Sequence, residues 1–88
     1  MYLHIGRSQM LPERRIIDIF DLEITSQSKR TAEFLRRAED ESLVIDTCED
    51  IPKSFLVCDH PYHPQLVYLS DLSSTTLQKR SERGEKRA

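Results

Sequence analysis

Cys58, His60 and His63 stand at the spacing C-x-H-x2-H, and Cys48 precedes them across a candidate hairpin. Thiolate and imidazole are the ligands zinc prefers. The spacing matches no common finger, and Pro61 and Pro64 suit an ordinary turn, so these histidines are expected in a surface loop without a metal. The same residues offer a thiol beside a base, the start of nucleophilic catalysis. That chemistry also needs an oxyanion nest and a third orienting group, and the sequence supplies neither. Asp18, Asp21 and Glu23 are a candidate carboxylate cluster for acid–base work, although a solvated face is the simpler expectation. Gly6 and Gly84 are the only glycines, which excludes P-loop and dinucleotide-binding patterns. No catalytic residue, cofactor or small-molecule substrate is expected.

The cations suggest a different chemistry. Arg14 and Arg15 are adjacent, and Arg7 and Lys53 fall in other turns. An arginine at a turn can bond a phosphate or enter a narrow minor groove. The whole chain carries 13 Lys and Arg against 15 Asp and Glu. Five of the cations lie in residues 79–88 (Lys79, Arg80, Arg83, Lys86 and Arg87) beside two acids. Residues 1–78 are therefore net −5 and the tail net +3. A dedicated nucleic-acid binder usually has a basic domain. With an acidic body, any DNA-binding face must be local or assembled from several copies. The tail could add a nonspecific grip, but a solubilising terminus is the preferred expectation.

These residues must be positioned by short elements. Met1–Ile5 alternates like a strand, Gly6-Arg7-Ser8 turns, and Gln9–Leu11 returns as a hairpin partner ended by Pro12. Glu13-Arg14-Arg15 is an exposed charged elbow. Ile16–Asp21 is β-branched and predicts a third strand, with Ile17 and Ile19 on one face and Asp18 on the other. A helix is expected from about residue 27 to 40, capped by Ser26 or Ser28. Thr31, Phe34, Leu35 and Ala38 share its apolar face. Strands follow over 43–47, 54–58 and 65–69, with loops at 49–53 and 59–64. A short helix capped by Ser70 or Asp71 carries Leu72, Leu77 and Lys79. The order βββ-α-βββ-α predicts a single small α+β domain, mainly antiparallel, over residues 1–80 with a charged disordered tail at 81–88.

With 88 residues there is room for one domain. No apolar run approaches the ~18 residues of a membrane span. The start of the chain lacks a charged and then apolar leader, so a cytoplasmic protein with two reduced thiols is expected. A small domain has a thin stability margin, which makes oligomerisation a reasonable expectation.

Several segments resemble the RemA/RemB family of small bacterial extracellular matrix regulators. They are Met1–Gly6, Arg14–Asp21, Phe34-Leu35, Ile51–Ser54 and Leu72–Arg80. The likeness is collinear over about residues 1–80 and includes no catalytic signature. It implies a DNA-binding transcription regulator of biofilm matrix genes, with a subunit similar to the LytTR DNA-binding domain. It also implies a ring-like homo-oligomer that displays arginines to double-stranded DNA. By the resemblance, Arg15 falls on the family's arginine before the third strand, with Arg14 beside it. The family's arginine-rich turn between the central strands reads here Cys48-Glu49-Asp50-Ile51-Pro52-Lys53, so Lys53 is its only cation. The expected DNA contacts are Arg14, Arg15, Arg7 and Lys53. The alternative is an oligomeric protein-interaction scaffold that binds no DNA, favoured by the acidic body and that turn.

Overall fold

Alternation at the start of the chain yields a two-stranded hairpin. In the computed structural model, which describes residues 1–25 and 28–81, β1 (Tyr2–Gly6) pairs antiparallel with β2 (Gln9–Pro12). Leu3 lies opposite Leu11, and the register shifts between His4 and Gly6 as the chain enters the turn. Arg7 takes a φ of 44°, a left-handed conformation uncommon for a side chain of its kind. His4 Nε2 donates to the Arg7 carbonyl at 2.5 Å and braces it. Gly6 is needed for proximity, because a Cβ there would lie 2.7 Å from the Thr47 carbonyl oxygen. Gly6→Ala is expected to destabilise the domain by ~1–3 kcal/mol, the usual range for overpacking. A chemical denaturation curve would measure it, and a midpoint unchanged from wild type would show that Thr47 can retreat without loss.

One turn of 3-10 helix (Glu13–Arg15) leads from the hairpin into β3 (Ile16–Asp21). A four-residue helix, α1 (Leu22–Thr25), follows without having been expected. Then come α2 (Lys29–Asp40), β4 (Val44–Asp46), β5 (Ser54–His60), β6 (His63–Ser70) and α3 (Ser74–Arg80). The four later strands form one sheet in the order β3-β5-β6-β4. All pairs are antiparallel except β4 with β6, which run parallel. The α+β class and mainly antiparallel pairing match the sequence expectation. Among the described residues no helix is long and apolar enough to cross a membrane.

The sheet separates two apolar layers. On one face Ile16, Ile19, Leu56, Cys58 and Tyr68 pack with Leu3, Ile5 and Leu11 of the hairpin and with Leu72 and Leu77. On the other, Phe20, Phe55, Val57, Val67 and Leu69 pack with Leu35 and Ala38 of α2. Phe20 and Phe55 stack with ring centroids 4.9 Å apart. Covered on both sides, β5 is buried from Ser54 through Cys58, which explains its unbroken apolar run.

Several local expectations need correction. Ile16 pairs with Cys58 but Asp18 pairs with Val57, so Ile17 is an extra, bulged residue. The bulge places Ile19 on the face of Ile16 and leaves Ile17 50% exposed. The loop expected over 59–64 is only a tight turn at 61–62, because His60 pairs with His63 and both strands extend. α2 begins at Lys29, and the Thr31 amide donates to Ser28 Oγ at 3.5 Å. The other expected cap, Ser26, lies outside the described residues.

The cap of α3 is Ser73, not Ser70 or Asp71. Its Oγ accepts from the Thr76 amide at 3.1 Å. The two expected caps are engaged elsewhere. Ser70 Oγ donates to the Ile5 carbonyl at 2.5 Å, and Asp71 accepts from the Glu49 amide at 3.1 Å. Ser54, directly opposite Ser70, donates to the Leu72 carbonyl at 2.7 Å. These two fully buried serines tie the sheet to the hairpin and to the approach of α3.

Candidate nucleic-acid interface

The elbow is not wholly exposed. Arg14 is exposed and Arg15 half-buried, but Glu13 is buried at 7%. A buried carboxylate is tolerated only when hydrogen-bonded. Ser81, itself buried just past the end of α3, donates its hydroxyl to Glu13 Oε1 at 2.6 Å. The Glu13 amide in turn donates to the Met1 carbonyl at 3.0 Å. The 3-10 turn is thus pinned by both ends of the described fold, and its two arginines project from a fixed base.

Arg15 Nη1 lies 3.8 Å from Oδ2 of Asp59, near the end of β5. The side chains are 37% and 62% exposed, so solvent screening leaves this pair a weak hold. An arriving phosphate can therefore compete with Asp59 for the Arg15 guanidinium, and a bidentate contact would be the stronger one.

Arg7 and Lys53 do not join this pair. Lys53 directly precedes β5, at the end where Ser54 faces Asp21, whereas Ile16, next to Arg15, faces Cys58 near the other end. Arg7 lies at the far tip of the first hairpin, with Nη2 donating to the Cys48 carbonyl at 2.8 Å. At ~3.3 Å per residue, a six-residue strand separates the two ends by roughly 15–20 Å. The end with Arg7 and Lys53 also carries Asp46, Glu49, Asp50 and Asp71. Asp46 is held below the usual carboxylate range, chiefly because its carboxylate accepts the Cys48 amide. Each of the four expected contacts sits in or beside a turn; the sequence alone could not tell which turns share an end.

The residues of the candidate catalytic and metal sites take structural places. Cys48 and Cys58 are both free and buried. Burial pushes the Cys58 thiol up to about 12. The Cys48 thiol also rises to about 12, through burial first and then the Asp46 hydrogen bond and charge. At neutral pH such a thiol is thiolate only in roughly one molecule in 100,000, so neither is a competent nucleophile. His60 Nδ1 accepts the Tyr62 amide at 3.1 Å, inside the hairpin turn. Among the described residues no group of three His, Cys, Asp or Glu converges as a metal site, and the side chain of His63 is not among them. Asp18 accepts its neighbour's Ile19 amide at 2.8 Å, and Asp21 accepts from Ser74 Oγ at 3.5 Å.

An open groove of about 320 Å³ lies between the start of α2 and the β3 side of the sheet. Ile17, Phe20, Phe34, Phe55 and Val57 line it, with Arg30 at its rim. Phe34 was expected on the buried face of α2, but it is exposed at 36% because it lines this open groove and is not packed against the sheet.

Two comparisons bear on these features. The family model described as "RemA-like: Extracellular matrix regulatory protein A-like" matches residues 2–80. The curated "Extracellular matrix regulatory protein B" of Bacillus subtilis (strain 168) is 34% identical over 82 residues, which is 93% of this chain and 91% of that protein.

Proposed function

The chain belongs to the RemA-like family of extracellular matrix regulatory proteins, and from that premise we propose that it is a non-enzymatic, DNA-binding regulator of matrix genes. Each subunit would contact the DNA backbone through Arg14 and Arg15, with Arg7 and Lys53 as secondary contacts. The observation that carries this function is the pinned elbow: two adjacent arginines on a buried base, restrained among the described residues by one weak surface ion pair. A pre-positioned cation loses less conformational freedom on meeting a phosphate than one on a loose loop.

One elbow on an acidic body would bind poorly. Repeated on a homo-oligomer, the same elbow gains effective concentration along one duplex. Self-association is supported by the exposed apolar side chains of Ile17, Phe34 and Ile51 and by the groove beside α2. An interface between unlike surfaces closes into a ring when its rotation permits, which would set the elbows in a circle.

A duplex long enough to wrap such a ring should be titrated with the purified chain at low and at physiological salt. Affinity is expected to fall steeply with salt, with a slope near 0.9 for each phosphate engaged. Absence of binding even at low salt would eliminate the DNA function and favour a protein-interaction scaffold organised around the acidic turn with Ile51 at its tip.

A further inference from the structure

We propose that the phosphate-contacting surface of each subunit has a second half, Lys79 and Arg80 in the last turn of α3, fastened beside the elbow by the Ser81–Glu13 hydrogen bond. The inference rests on the DNA-binding function above and names further residues of that same site.

Residues 14 and 80 are far apart in sequence, and the fold joins them. Leu77 is fully buried in the layer that holds Ile16, Leu3 and Leu11, so the C-terminal half of α3 lies against the root of the elbow. Beyond it Ser81 reaches Glu13 at 2.6 Å. One peptide step of ~3.8 Å separates Arg80 from Ser81 and Arg14 from Glu13. Both cations therefore flank a single short, buried contact. Lys79 and Arg80 are exposed, as is Arg14. Among the described residues no ion pair engages any of these three. Arg7 is different: its guanidinium is bonded to the Cys48 carbonyl and faces Asp46.

Cations in a last helical turn commonly do no more than complement the helix dipole, a small effect. That role is indifferent to what lies next to the helix end. Here a buried hydroxyl–carboxylate bond sets the helix end beside the elbow, so that four cations share one region of the surface with the carboxylates of Glu13 and Asp59. The exposed members, Arg14, Lys79 and Arg80, leave that region able to meet a polyanion. A phosphate backbone supplies a row of charges to match it. Paired with Asp59, Arg15 is the member that must exchange partners on binding.

The full-length double variant Lys79→Ala/Arg80→Ala should be titrated against the same duplex over a salt series, beside wild type and Arg14→Ala/Arg15→Ala. Affinity at physiological salt is expected to drop at least tenfold. The salt slope should fall by up to about 1.8 for each engaged subunit, at 0.9 per lost contact. Ser81→Ala keeps every charge but releases the helix end; its affinity is expected to fall by a smaller factor, with the circular dichroism spectrum unchanged. Wild-type affinity and slope in Lys79→Ala/Arg80→Ala, with binding lost in Arg14→Ala/Arg15→Ala, would overturn this inference and leave the DNA function standing. No binding by the wild-type chain at any salt would overturn both.

Discussion

Arg14→Ala/Arg15→Ala is expected to reduce DNA affinity by roughly a thousandfold without unfolding the protein. An exposed charge–phosphate contact contributes about 1 kcal/mol, close to the upper end for surface ion pairs. Two such contacts on each of two engaged subunits amount to ~4 kcal/mol, close to three decades in Kd. More subunits on the same duplex would enlarge the loss. The fold should be nearly indifferent. Arg14 is exposed, and the ion pair lost among the described residues, Arg15 with Asp59, is a partly solvated one. Surface changes of this kind usually alter stability by less than ~0.5 kcal/mol. Anisotropy titrations at two salt concentrations, with a thermal melt of each protein, would measure both quantities. Equal affinities for variant and wild type would remove the elbow from the interface.

Leu77→Ala is expected to lower stability by ~2–5 kcal/mol, the range for truncating a fully buried leucine. The whole domain of 88 residues has only about 4–13 kcal/mol to lose at typical values per residue. The melting temperature should fall by at least ~8 °C, since 1 kcal/mol shifts a domain of this size by ~4–8 °C. The effect is large because Leu77 touches more than one element. It fills the layer between hairpin and sheet with Leu3, Ile5, Leu11 and Leu56. Its carbonyl also accepts the Ser81 amide at 3.0 Å, which positions the hydroxyl that bonds Glu13. A melt within 2–3 °C of wild type (about 0.5 kcal/mol) would show that the helix is not packed as described.

What the sequence made legible was local. Alternation identified β1, and β-branched residues identified β3 with its bounds. The i, i+3, i+4, i+7 pattern identified α2, and the apolar run Phe55–Cys58 identified the buried part of β5. Features that depend on a distant partner escaped. Ser70 and Asp71 are as good helix caps as Ser73, and only the approach of Ile5 and Glu49 reveals why they are not used. Phe34 has the right period for burial, but burial also needs a covering neighbour, and Phe34 faces an open groove. Nothing at Ile17 signals a bulge, because an extra residue in one strand is defined by the register of the other. The elbow was legible as charge, but its buried base was not. Glu13 resembles its exposed neighbours until Ser81, 68 residues away, is brought to it.

The bulge at Ile17 has a bearing on how copies of this protein can come together. β3 and β4 are the two margins of the four-stranded sheet. A long straight margin invites another chain to add strand upon strand, which is how fibres grow. One margin here is interrupted at Ile17 and the other is only three residues long. Neither is a good template for open-ended growth. At these two margins, self-association through side chains would fix an angle between copies, whereas strand addition would leave growth open-ended.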